Sequence, residues 1–75
     1  MKDPNYEIQT HIEAALAGER VTGRATVTFD ASIETHIVVV PGHHIVALAS
    51  ALARLYSVIS VWQSGGYTWG RFRVE

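Results

Sequence analysis

NYEIQTHIEAALAG, residues 5–18, satisfies two incompatible periodicities, and the fold turns on which one wins. As a strand, it places Tyr6, Ile8, Thr10, Ile12, Ala14 and Leu16 on one face, with Asn5, Glu7, Gln9, His11 and Glu13 on the other. As a helix, Asp3 is the N-cap, Pro4 occupies the first turn, Ile8, Ile12, Ala15 and Leu16 form a stripe, and Gly18 ends it. The alternation is unbroken over the whole stretch and predicts a strand over residues 5–17, with the helix as the alternative.

The next run favours the strand. Val21, Gly23, Ala25, Val27 and Phe29 alternate with Thr22, Arg24, Thr26, Thr28 and Asp30, the pattern of a half-buried strand rich in β-branched residues. Ala17-Gly18-Glu19-Arg20 would then be a hairpin turn. After the polar Asp30-Ala31-Ser32, residues 33–40 end in Ile37-Val38-Val39-Val40, an apolar run without alternation that predicts a central strand covered on both faces. Pro41 stops it.

Pro41-Gly42 leads into a helix over residues 43–56, with Ile45, Leu48, Ala49, Leu52, Leu55 and Tyr56 on its core side. Its other side carries His43, Ala47, Ser50, Ala51 and Arg54, small and thinly polar enough for a close neighbour to pack there. Two β-rich runs follow, 58–63 and 67–74, around Ser64-Gly65-Gly66, and predict a terminal hairpin. Residues opposed across such a turn share a sheet face. With Ser64-Gly65 as the loop, Trp62 opposes Tyr67; with Gly65-Gly66, it opposes Trp69.

In either register, parity puts Val58, Ser60, Trp62, Tyr67, Trp69, Arg71 and Arg73 on one face. Ile59, Val61, Gln63, Thr68, Gly70, Phe72 and Val74 take the other. One helix covers one face, and the aliphatic side is assigned to it. Two tryptophans and a tyrosine are left facing outward. The sequence therefore predicts one α+β domain over residues 1–75: a mostly antiparallel five-stranded sheet, β-β-β-α-β-β, with a helix on one face, and α-β-β-α-β-β as the alternative.

Composition narrows the function classes. Hydrophobic residues at 48% against 17% charged describe a packed globule and not a disordered tail. A chain of 75 residues without cysteine has neither disulfides nor thiolate chemistry to draw on, so a second subunit is the natural source of extra burial. Met1 to Glu7 lack the apolar run of a signal peptide, and residues 37–55 are broken by Pro41-Gly42-His43-His44 and Arg54, so neither export nor membrane insertion is expected and a cytoplasmic setting is. Charge is mildly polarised: Lys2, Arg20 and Arg24 against Asp3, Glu7, Glu13, Glu19, Asp30 and Glu34 give −3 in the first half, and Arg54, Arg71 and Arg73 against Glu75 give +2 in the second.

The outward face is the functional candidate. Trp, Tyr and Arg are the types enriched at binding hot spots, which makes Trp62, Tyr67 and Trp69 candidate anchors and Arg71 and Arg73 a candidate polar rim. The bland explanation is that these rings close the edge of a small core. The favoured function is a non-catalytic binding protein, homodimeric through this face or through the helix back at His43, Ala47, Ala51 and Arg54, or docking on a foreign protein as small inhibitors and accessory factors of phage and mobile elements do. Single-stranded nucleic acid is a second possibility, since rings beside arginines form stacking platforms, though six basic residues are few for it. A third is a metal held by His36, His43 and His44 with Glu34, at a spacing that matches no metal signature. The sequence contains no phosphate loop, nucleophile elbow or purposeful carboxylate pair, so no enzyme and no cofactor are expected.

Overall fold

The computed structural model describes residues 4–74. The order is α1 (Pro4–Gly18), β1 (Thr26–Asp30), β2 (Thr35–Pro41), α2 (Ile45–Leu55), β3 (Ser57–Ser64) and β4 (Tyr67–Arg73). The sheet has four strands in the order β1-β2-β4-β3, every neighbouring pair antiparallel. This is the alternative α-β-β-α-β-β arrangement, and the strand predicted over residues 5–17 is a helix.

The reason lies in a spacing of four. The buried residues of α1 are Ile8, Ile12 and Leu16, and an interval of four is both two strand periods and close to one helical turn. The remaining strand-face residues break the tie: Tyr6 is 65% exposed, and Thr10 and Ala14 are also exposed. Ala14, Ala15 and Ala17 have high helix propensity, and the Ile8-Ile12-Leu16 stripe packs on α2 and β1. The Asp3 cap lies outside the described residues.

Ala17 to Arg20 form the end of this helix and not a hairpin turn. The Val21 and Arg20 amides donate to the Leu16 and Ala17 carbonyls at 2.9 and 3.0 Å, with Arg20 left-handed at φ 63°. This is a Schellman closure, and the buried Leu16 and Val21 supply its hydrophobic contact. Glu13 ties α1 to the chain entering β1, accepting the Ala25 amide at 2.9 Å.

Both helices lie on one side of the sheet. The core joins Ile8, Ile12 and Leu16 to Leu48, Ala51 and Leu52 of α2, and to Val27, Val38, Val40 and Phe72 of the sheet. The buried side of α2 is Leu48, Ala51 and Leu52, while Ile45 and Leu55 stay exposed. The stripe is therefore rotated from the predicted one, because α1 covers the small side of the helix. A Cβ at Gly70 would stand 2.6 Å from Leu52 Cδ1 and 3.3 Å from Val38 Cγ1, so glycine here is what lets α2 settle onto β4.

Where β2 passes into α2, a buried hydroxyl organises the turn. Thr68 Oγ1 accepts the His44 amide at 2.8 Å and offers its one proton to Gly42 O at 2.7 Å or Gln63 Oε1 at 2.9 Å. Thr68→Val keeps the shape but orphans the His44 amide, and should cost about 1–3 kcal/mol. Urea unfolding measures it; an unchanged midpoint would mean that water takes over these partners.

Candidate functional site

The face of the sheet opposite both helices carries no secondary structure of this chain among the described residues. Its first row across the strands is Thr26, Val39, Trp69 and Trp62, and its second is Thr28, Ile37, Arg71 and Ser60. Asp30 stands beside Thr35, and Arg73 beside Ser57, at one end; Pro41, Tyr67 and Ser64 align at the other.

The hairpin between β3 and β4 fixes the aromatic pair. Gly65 and Gly66 both have positive φ, 63° and 79°, the requirement of a two-residue type I′ turn. Of the two registers allowed by the sequence, this one sets Ser64 against Tyr67 and Trp62 against Trp69. The indole planes lie within 8° of parallel with centroids 6.2 Å apart, and Trp69 Nε1 donates to Ser64 O at 3.1 Å. Both rings are half-buried, and Tyr67 beside them is 46% exposed.

Parity is correct from residue 60 to residue 73 and fails on either side of that range. A bulge between Val58 and Ser60 turns Val58 inward to oppose Phe72 and puts Ile59 on the surface, 49% exposed. The sequence places these two the other way round, because a bulge adds one residue to one strand and inverts every face assignment beyond it. Val74, predicted beneath the helix, lies past the end of β4 and is exposed.

Ile37 and Val39 join the site unpredicted as members. The run Ile37-Val38-Val39-Val40 is covered on one face only: Val38 and Val40 are buried under the helices, while Ile37 and Val39 are half-buried beside Arg71 and Trp69. The signal was available, since a sheet with one helical layer cannot cover both sides of its central strand.

The arginines differ in their freedom. Arg71 donates to Thr35 Oγ1 at 2.7 Å and stands 3.6 Å from Asp30 Oδ2, and Thr35 itself is buried. The Ser32 hydroxyl and amide, with the Arg71 charge beyond them, hold the Asp30 carboxyl below the usual aspartate range. Arg73 is exposed.

The helix back is not a free surface. Ala51 is fully buried in the core, Ala47 packs against it, and Arg54 Nη2 meets Glu19 Oε2 at 2.6 Å across the α1–α2 seam. Of the four residues proposed there, only His43, ahead of α2, is exposed and without such a role.

The histidines do not converge. His43 and His44 flank a groove of about 510 Å³ where the end of α1 meets the start of α2, and the His44 ring folds back over Gly42. His36 lies near the opposite end of β2, between Phe29 and Phe72, in an aromatic row that ends on Tyr56, with centroid separations of 4.8, 5.6 and 4.9 Å. Glu34 sits in the β1–β2 turn at φ 52°, not on the strand with His36. Among the described residues no group of three or more His, Cys, Asp or Glu side chains is placed to hold a metal ion.

Burial pushes the His36 pKa below its ordinary 6.5. The unfolded chain then binds the proton more readily, so the His36 contribution to stability is complete above about pH 6.5 and is lost as pH falls from there toward the lower folded value. Urea midpoints measured between neutral pH and pH 5 should decline, and His36→Phe should flatten that decline; equal slopes in both chains would place the titration elsewhere.

The molecule is thus a two-layer α+β domain, two helices on an antiparallel sheet whose other face is apolar and aromatic at its centre and charged at one end. Comparison with protein-family models, curated protein sequences and solved structures finds no match. No helix among the described residues is long and apolar enough to cross a membrane.

Proposed function

We propose that the chain is a small non-catalytic binding protein that acts through the open face of its sheet and works as a homodimer. Trp62, Tyr67 and Trp69 are its anchors, Ile37 and Val39 extend the apolar centre, and Arg71 and Arg73 form the polar rim. The observation that supports this most is the stacked Trp62–Trp69 pair, in one row with Val39, on the side away from both helices.

Rigid rings whose positions are already fixed lose little entropy on binding, which is what hot spots require. The charges on the face suit a rim better than a reaction: Arg71 and Asp30 are engaged with each other and with Thr35 and Ser32. A role by occupying a partner's surface, as an inhibitor or accessory factor, fits this makeup by analogy of class. The same engagement of Arg71 weakens the single-stranded nucleic-acid alternative, which needs free cations beside the rings. The proposed cytoplasmic setting rests on composition alone.

Sedimentation equilibrium tests the self-association. The expected mass is about 16.6 kDa, twice the 8.3 kDa of one chain, persisting to micromolar concentration. A mass of one chain at every concentration would remove the dimer and leave a single chain to meet a foreign protein with this face.

A further inference from the structure

β3 is an edge strand, and beyond its bulge at Ile59 it lacks the usual protection of an edge. Ser57–Ser64 reads SVISVWQS, with no charge and no proline, whereas natural edges carry lysine, proline or short lengths to stop other strands from pairing. The opposite edge, β1, is shorter and ends in Asp30. On β3 the bulge at Ile59 and the turn at Gly65 bracket a regular segment, residues 60–64.

The two-residue turn makes Ser64–Tyr67 the closing hydrogen-bonded pair, and the alternation of an antiparallel ladder then directs the backbone groups of Ser60, Trp62 and Ser64 at β4. Those of Val61 and Gln63 point away from the sheet. We propose that a second copy of this chain adds its own residues 60–64 to this edge, antiparallel about a two-fold axis, to make one continuous eight-stranded sheet. The inference rests on the homodimer proposed above and gives it a geometry.

Symmetry fixes the register. A segment of five paired with itself puts Ser60 opposite Ser64, Val61 opposite Gln63 and Trp62 opposite its own copy. Val61 and Gln63 then supply two narrow pairs, about four hydrogen bonds, and no charge meets a like charge. The row Val39–Trp69–Trp62 runs on into the same row of the second copy. Two open faces become one aromatic surface of twice the width, which is what a binding protein of this size gains from dimerising.

Charge placement tests the register. Ser60 and Ser64 are exposed, and Ser60 opposes Arg71 in its own chain, so an acid at residue 60 is compatible with the monomer fold. Ser60→Glu with Ser64→Glu faces acids at both ends of the pairing and should raise the dimer dissociation constant about tenfold or more; Ser60→Glu with Ser64→Lys should restore it. A synthetic chain N-methylated at Val61, which loses only an outward N–H, should be monomeric. If the parent is a dimer and both the double-Glu and the N-methyl chains remain dimers, the edge geometry is wrong although the homodimer stands. If the parent is a monomer, the homodimer and the edge geometry fall together. Should the double-Glu chain fail to fold, the N-methyl chain alone decides.

Discussion

Phe72→Ala is expected to leave the chain without a cooperative unfolding transition at room temperature. Phe72 is fully buried at the middle of the core, opposed by Val58 and His36 on the neighbouring strands and stacked on Tyr56 at 22° and 4.9 Å. Truncating a buried aromatic costs about 3–5 kcal/mol, because the lost transfer energy is joined by a cavity that rigid neighbours do not close. A single core of this size supplies about that much in total. Far-UV circular dichroism during urea titration should show a broad drift in place of a sigmoid; a sigmoid with its midpoint near that of the parent would show that the helices do not depend on this side chain.

Ile12→Ala is expected to cost about 2–5 kcal/mol, and Ala14→Lys, two residues away, less than about 0.5 kcal/mol. The contrast is the sharpest consequence of α1 being a helix. In a strand the two residues would share the buried face, whereas in the helix Ile12 is fully buried between α2 and the sheet and Ala14 is exposed. Paired urea titrations of the two variants give the answer directly, and comparable losses in both would contradict the helix.

The elements after residue 25 were legible because α2, β1, β3 and β4 carry one dominant period and β2 an apolar run closed by Pro41. Leu48 and Leu52 mark α2, Val27 and Phe29 mark β1, and the glycine pair marks the terminal hairpin, whose two tryptophans face outward as parity requires. Residues 5–17 were not legible, since apolar side chains four apart obey both periods and only the packing of Ile8, Ile12 and Leu16 on α2 separates them. That one reassignment explains the rotated stripe of α2 and the burial of Ala51, because a second helix covers the side that the sequence left bare.

The candidate site was legible as far as the alternation holds. Trp62, Tyr67, Trp69, Arg71 and Arg73 share the open face as expected, while Val58 and Ile59 exchange sides at a bulge that no residue type announces. Ile37 and Val39 were hidden by reading four apolar residues in a row as a strand covered on both faces. The engagement of Arg71 by Thr35 and Asp30 depends on neighbours from β1 and β2, which lie far from it in sequence.

The proposed binding face requires the two tryptophans to stand outside the core while belonging to the fold. A urea titration of Trp62→Thr/Trp69→Thr, followed by circular dichroism, tests this most directly. Threonine suits a strand, so the variant should lose only the ring stack and some half-buried area, about 2 kcal/mol, and unfold as a single cooperative transition. Two buried tryptophans would instead cost about 3–5 kcal/mol each, and a double variant that is unfolded in the absence of urea would make these rings core and end the proposal of a binding face.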